Sequence, residues 1–402
     1  MGKWIRRIGL GLGALLIVVA VAAALNWERL ERLSRVLTLF DEDRIVWNFS
    51  NMGEMFLTAP IPRDGPVFTF EAGEPAALPE SFAGELGEIT SADFLEQTAT
   101  TSLLVIRDDR IVFEDYFRGT GPEDLRISWS IAKSFLSTLI GIALADGAIE
   151  SLDDPVVKYA PSLAGSAYGP ARVRDVAMMS SGVQFDEDYL AFFSDINKMG
   201  RELALGGSLD AFAGRLTETV SPPNEAWRYV SIDTHVLAMV LRGATGRDVA
   251  NFMAERLWAR IGPEADAYYL TDGVGAAFVL GGLNMRTRDY AKLGRLFLND
   301  GVWEGERIVP AEWARESTTQ QAPPAAAEGD RGMGYGYQWW LPPEPDEEFY
   351  GIGVYGQYLY VDRKARVIIV KTSADRKFRD GDSRAQRESI AFFRAIARPG
   401  GG

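Results

Sequence analysis

Ser130 and Lys133 stand three residues apart at the head of an almost wholly apolar run, Phe135 to Ala145, which stops at Gly147. Only Ser137, Thr138 and Gly141 interrupt it, and a helix apolar on every side is a buried helix. At that spacing the hydroxyl and the amine share one helical face, about one turn apart. A lysine at a buried helix start is disfavoured as a cation by desolvation and by the positive end of the helix dipole. Its pKa should fall, and a neutral amine can take the proton of a serine hydroxyl. The same dipole would favour an oxyanion at Ser130, whose backbone N–H points outward there. On spacing alone, an ordinary capping serine beside a snorkelling lysine is the commoner reading. Composition closes off other nucleophile systems. The chain has no cysteine, which excludes thiol nucleophiles, disulfides, thiolate zinc and iron–sulfur sites. His235 is the only histidine, so metal sites with several imidazoles are ruled out and any Ser-His-Asp triad would have to use it.

The elements that must hold these groups are legible in outline. With 402 residues, 47% hydrophobic and 24% charged, the chain has the balance of a packed globule of two domains or one two-part domain. A net charge of −14 argues against a nucleic-acid surface, since phosphate neutralisation needs clustered Lys and Arg. Leu103 to Phe117 reads as a hairpin with its turn at Arg107-Asp108-Asp109-Arg110. A matching hairpin joins Gln357–Val361 to Val367–Thr372 around Asp362-Arg363-Lys364. A helix is expected from Ser383, whose spacing to Gln386 is a capping box. Between the hairpins the pattern is mostly helical. The expected fold is therefore α/β of the α+β type: an antiparallel sheet closed by both chain ends, flanked by helices, with a helical region inserted. Pro60, Pro62, Pro66, Pro75 and Pro79 mark a linker wrapping onto the globule, and Gln320 to Gly329 a mobile loop.

Lys3, Arg6 and Arg7 precede an uncharged run from Ile8 to Leu25. Its length is at the lower edge of what spans a bilayer, and the positive flank predicts a cytoplasmic N-terminus. Ala22-Ala23-Ala24 would suit a signal-peptidase site. The long apolar run and the helical pattern Trp27–Leu39 directly after it suit an uncleaved anchor. Both readings place the bulk of the protein outside the cytoplasm.

Further segments give the Ser-x-x-Lys pattern a context. Ser130 to Lys133 resembles the nucleophile motif of the serine β-lactamase and penicillin-binding-protein superfamily. The closer likeness is to its class C branch of esterases, D-amino-peptidases and 6-aminohexanoate-dimer hydrolases. Leu152-Asp153-Asp154-Pro155-Val156 with Tyr159 and Pro161, Val173-Arg174-Asp175-Val176, and Met179-Ser180-Ser181-Gly182 are similar to the segments that follow that motif. Gly282-Leu283-Asn284-Met285, with Arg288-Asp289 and Leu293-Gly294, resembles a later glycine-rich segment and helix. The likeness spans about residues 80 to 398. Tyr229-Val230-Ser231, followed by Asp233-Thr234, is similar to the family's Tyr-x-Asn or Tyr-x-Ser element. A phenol near an ammonium ionises more easily than in water and can relay a proton between serine and leaving group. Where the family carries Lys-Thr-Gly or His-x-Gly, this chain has Gly351-Ile352-Gly353-Val354. Without a cation there it is a poor candidate for β-lactam or terminal D-alanine substrates. The Gly-x-Gly form instead looks like the 6-aminohexanoate-oligomer hydrolase and esterase side of the branch. The resemblance implies that the Val354 N–H joins that of Ser130 as oxyanion donor.

Tyr189, Ser231, Gly353 and Trp339 are candidates to line the substrate cleft, although Trp339 and Trp340 suit a core equally well. His235 reads as a satisfied, partly buried residue, and Asp186-Glu187-Asp188 as a solvated acidic loop. The division expected is an anchor or signal at 1–25, a helical and Pro-rich lead-in at 26–80, and a hydrolase domain at 81–398. Within it the α/β part takes 81–148 and 275–398, and the helical part 149–274. The function expected is a serine hydrolase of small amides or esters acting through an acyl-enzyme, with Ser130, Lys133 and Tyr229 catalytic. It needs no metal or organic cofactor and binds no nucleic acid. The alternatives are a D-Ala peptidase or β-lactamase, or a membrane-tethered binding protein without catalysis.

Overall fold

The computed structural model describes residues 2–325 and 332–399. Its main sheet runs in the order Gly334–Tyr335, Trp340–Leu341, Glu348–Gly353, Gln357–Asp362, Val367–Ser373, Thr100–Arg107, Arg110–Tyr116, Glu71–Ala72. Neighbours are antiparallel except for the last pair. Both predicted hairpins are present, and the first turns on Asp108 and Asp109, each in the left-handed region that short acidic side chains tolerate. The central strand alternates its burial between two cores. Leu104 and Ile106 pack with the buried helix Ala132–Ala145 and its neighbours, while Leu103 and Val105 pack under the C-terminal helix with Phe94, Phe392 and Phe393. That period of two lets one strand serve both faces of a covered sheet.

The apolar run after Lys133 forms the helix Ala132–Ala145, buried from Ala132 through Ala143. It packs against the second buried helix, Ser231–Thr245, which begins two residues after Tyr229. The C-terminal helix starts at Asp380, ahead of the expected Ser383. Of the loop expected at Gln320–Gly329, residues 320–325 are irregular chain, held by the Trp227 N–H on the Pro324 carbonyl at 2.9 Å. The remainder of that loop lies outside the described residues.

The lead-in is more than a linker. Leu57–Ile61 pairs with Ala267–Thr271 in a second, four-stranded sheet, whose other strands are Leu283–Met285 and Arg126–Ile127. Phe49, Met52, Met55 and Ile61 are buried in the main core, because a chain with this many apolar groups in a Pro-broken stretch has nowhere else to hide them. Buried Arg126 donates to the Val46 carbonyl at 2.8 Å and to Ser50 Oγ at 2.7 Å, tying the lead-in to the strand just before Ser130. Ala267–Thr271 also brings strand structure into the stretch expected to be helical.

Candidate active site

Ser130 sits in the single tight turn Trp129–Ile131 between the strand Arg126–Ile127 and the helix Ala132–Ala145. Trp129 holds φ +43°, a costly conformation for a bulky residue, of order 1–3 kcal/mol. Its ring is clamped by Phe49 at 5.5 Å, Tyr355 at 5.7 Å and Phe40 at 6.0 Å between centroids, so packing imposes the bend. The approach is fixed from the other side, where the Ser128 N–H donates to the Leu283 carbonyl at 2.8 Å. Ser130 therefore lines a cleft of about 560 Å³.

Lys133 points back along the helix into this turn. Its Nζ lies 3.1 Å from Ser130 Oγ and donates to the Leu280 carbonyl at 2.6 Å. Burial pulls the ammonium down to about 7, against the opposing pull of the Glu187 charge. An amine titrating there is available as a base near neutral pH. The ring of Tyr229 lies with its centroid 5.4 Å from Lys133 Nζ. Its phenol, however, is pushed well up rather than eased into ionisation: burial dominates, the Glu187 charge adds to it, and the Ser130 and Ser231 hydroxyls only partly offset both. Tyr229 keeps its proton, which corrects the expectation of a readily ionised phenol.

The opposite wall is Gly351–Val354. Only Trp340 of the neighbouring short strand pairs with this one, at Tyr350, which leaves the glycines beyond it open toward the turn that holds Ser130. A Cβ at Gly353 would stand 2.5 Å from the Ser128 carbonyl oxygen, so only glycine lets strand and turn approach this closely. At Gly351 it would meet Ser134 Oγ at 3.3 Å, so a side chain there would be aimed at the helix Ala132–Ala145. The turn that follows is pinned by Gln357, whose Nε2 donates to the carbonyls of Tyr355 at 3.1 Å and Ser373 at 2.9 Å.

Glu187 is the residue that sequence reasoning missed. Instead of lying on a solvated loop, its carboxylate accepts hydrogen bonds from the Ser231 N–H, from Ser231 Oγ at 3.1 Å and from the Tyr189 phenol at 2.9 Å. Burial raises its pKa, and Lys133 with these donors opposes the rise. Phe185, Glu187 and Tyr189 turn inward while Asp186, Asp188 and Leu190 turn out, an alternation that the segment's sequence does contain. Tyr189 and Gly353 line the cleft, whereas Ser231 is buried behind it and holds Glu187. Trp339 is misplaced by the sequence reading: it is fully buried against Phe297 at 4.8 Å and Phe349 at 5.2 Å. Trp340 lines the cleft in its stead, stacked on Tyr229 at 5.3 Å.

The remaining motifs brace the site. Tyr168 and Ser181 donate to Asp233 Oδ1 at 2.6 and 2.8 Å, joining the Ser180-Ser181-Gly182 segment to the helix after Tyr229. Thr234 Oγ1 donates to Gln338 Oε1 at 2.7 Å, and Ser134 Oγ to the Gln338 carbonyl at 2.8 Å. His235 is buried, with Nε2 2.7 Å from Asp210 Oδ1, and takes no place in the cleft.

Against known proteins, the model of the Beta-lactamase family matches residues 91–391. The chain belongs to the beta-lactamase family. Among curated relatives, it is 30% identical over 342 residues to a 6-aminohexanoate-dimer hydrolase of Paenarthrobacter ureafaciens, covering 82% of this chain and 85% of the relative. A solved Bacillus anthracis structure, provisionally named a 6-aminohexanoate-dimer hydrolase, superposes with a TM-score of 0.78 at 24% identity, covering 89% of this chain and 95% of that one. A D-stereospecific amidohydrolase from Streptomyces sp. gives 0.55 at 18% identity, over 76% and 95% of the two chains. As a member of this family the protein is a hydrolase of the amidase and esterase type.

Proposed function

We infer that this family member cleaves small linear amides or esters through an acyl-enzyme on Ser130. The observation that carries the reading is the 3.1 Å contact between Ser130 Oγ and a lysine whose pKa burial has brought to about 7. In its neutral form Lys133 accepts the hydroxyl proton as Ser130 attacks the carbonyl, forming the C–O bond. The oxyanion is met by the N–H groups of Ser130 and Val354, which line the same cleft. Tyr229, protonated throughout the resting state, hands a proton to the leaving amine or alkoxide and is resupplied by Lys133. Water then attacks the acyl ester, and the free acid leaves. Ser130, Lys133 and Tyr229 are the catalytic residues on this reading.

The relative named for 6-aminohexanoate dimer makes linear amides the first substrate class to test, and Gly351 offers no cation for a β-lactam carboxylate. The apolar helix Arg7–Leu25, whose most apolar stretch is not buried in the protein at all, suits an anchor that holds the hydrolase outside the cytoplasm. The deciding experiment profiles wild type and Ser130→Ala on p-nitrophenyl esters, linear amides, D-Ala peptides and a chromogenic cephalosporin. Ester and linear-amide turnover that disappears in the variant is expected. Rapid cephalosporin hydrolysis would move the substrate class to β-lactams. Turnover surviving in Ser130→Ala, or no labelling of Ser130 by a fluorophosphonate, would overturn the mechanism.

A further inference from the structure

The loop after Tyr189 carries three large apolar side chains out into solvent: Leu190 is 78% exposed, Phe192 64% and Phe193 77%. This tip is built rather than loose. Asn197 Nδ2 donates to the Tyr189 carbonyl at 3.0 Å and the Ala191 carbonyl at 2.9 Å. Arg201 donates to the Phe192 carbonyl at 2.8 Å while its guanidinium lies 4.3 Å from the centre of the Phe192 ring, and Phe192 and Phe193 meet edge to face at 5.0 Å. A preorganised loop that holds apolar groups in water marks a contact surface.

Its neighbours say what the contact is with. Immediately after Phe193, Ser194 caps the helix Asp195–Ala204, and that helix packs against the helix Trp27–Leu37. Trp27–Leu37 in turn continues the apolar helix Gly2–Leu25 with only Asn26 between, the Asn26 N–H still donating to the Ala22 carbonyl at 3.1 Å. Trp27, Leu30 and Leu37 are exposed on it as well. The apolar tip is thus one helix away from the segment that directly follows the candidate membrane span.

We propose that the Leu190–Phe193 tip, with the exposed apolar residues of Trp27–Leu37, docks into the interfacial layer of the bilayer in which the N-terminal helix is embedded. Aromatic and leucine side chains held out from a surface are what that layer accepts. Leu190 also lines the catalytic cleft beside Tyr189, so docking sets the cleft mouth at the lipid surface. The proposal rests on the anchor part of the functional reading, and its test separates the two.

The chain has no cysteine, so single substitutions carry a label cleanly. The full chain with Phe193→Cys, Leu190→Cys, Val18→Cys or Leu86→Cys is labelled with an environment-sensitive fluorophore. It is then reconstituted in phosphatidylethanolamine–phosphatidylglycerol vesicles with or without nitroxide-labelled lipid. Val18 reports on the anchor, and Leu86, 82% exposed on the hairpin Ser81–Thr90, reports on a surface outside the docking patch. Blue-shifted emission with strong nitroxide quenching is expected at 193, 190 and 18 but not at 86. Quenching at 18 with 193 and 190 no different from 86 would overturn the docking proposal and leave the anchor standing. No quenching at 18 would overturn the anchor and the docking proposal with it.

Discussion

Glu187→Gln separates the charge that Lys133 feels from the hydrogen bonds that the carboxylate accepts. The amide oxygen can keep the Ser231 N–H, and the amide NH2 in place of Oε2 can donate to the Tyr189 and Ser231 hydroxyls, which turn to accept, so the loop keeps its shape. What disappears is the negative charge that holds Lys133 up against burial. The two interact through space, since the hydrogen bonds of Nζ go to Ser130 Oγ and the Leu280 carbonyl. A nearby opposite charge moves a pKa by about 1–3, and the lower end applies to such an indirect pair. The sign is downward: without the anion the ammonium is less favoured, and the neutral amine persists to lower pH. The acidic limb of kcat/KM, placed near 7 in the wild type by Lys133, should therefore move down by about one pH unit. A weaker base also lowers the plateau, by less than about tenfold because one pKa unit is about 1.4 kcal/mol. The assay is a pH profile on a p-nitrophenyl ester, followed at a wavelength insensitive to nitrophenol ionisation. A limb that stays put would mean that Glu187 carries no charge toward Lys133. A limb that moves up would refute the neutral-lysine mechanism.

Two further substitutions test the site. Lys133→Met should abolish turnover yet improve stability near neutral pH. Burial lowers the folded-state pKa from 10.5 to about 7, so the unfolded chain binds this proton more tightly and wild-type stability rises with pH across that window. The cost removed is at most about 5 kcal/mol below neutrality, less about 1–3 kcal/mol for leaving the Leu280 carbonyl without its donor. Urea denaturation at both ends of the window should show the variant's advantage shrinking as pH rises; a constant gap would refute the account. Gly353→Ala forces a Cβ to within 2.5 Å of the Ser128 carbonyl, and the strand must retreat with the Val354 N–H. Loss of one oxyanion donor predicts a kcat reduced by about 10²–10³-fold with KM little changed. A full-rate variant would remove Val354 from the mechanism.

What could be read before folding was everything written in short-range spacing. Ser130 and Lys133 share a helical turn, and both hairpins announce themselves by alternation and a polar turn. The glycines of Gly351–Val354 state that a backbone must come close, although they do not name the Ser128 carbonyl it meets. Trp339 and Trp340 shared one description until tertiary packing chose between them: Trp340 opens the short strand paired to Tyr335 and faces the cleft, while Trp339, just ahead of that strand, is buried against Phe297 and Phe349. Glu187 was hidden for another reason, since a carboxylate between two aspartates scores as solvated unless its inward neighbours are weighed. The lead-in was similarly underrated, because Leu57–Ile61 finds its partner 200 residues away and local pattern carries no sign of it.

By itself, then, the sequence determined the candidate reacting groups, the buried helix that carries Lys133 with Ser130 at its head, the hairpins, and the lack of any competing thiol chemistry. These follow from residue types and from the periods of helix and strand, which act over a few positions. Only the tertiary structure decided the protonation states and the partners. Lys133 titrates near neutrality and Tyr229 stays a phenol because of what surrounds them once water is excluded. Desolvation depends on every segment that closes around a group, and those segments come from all along the chain.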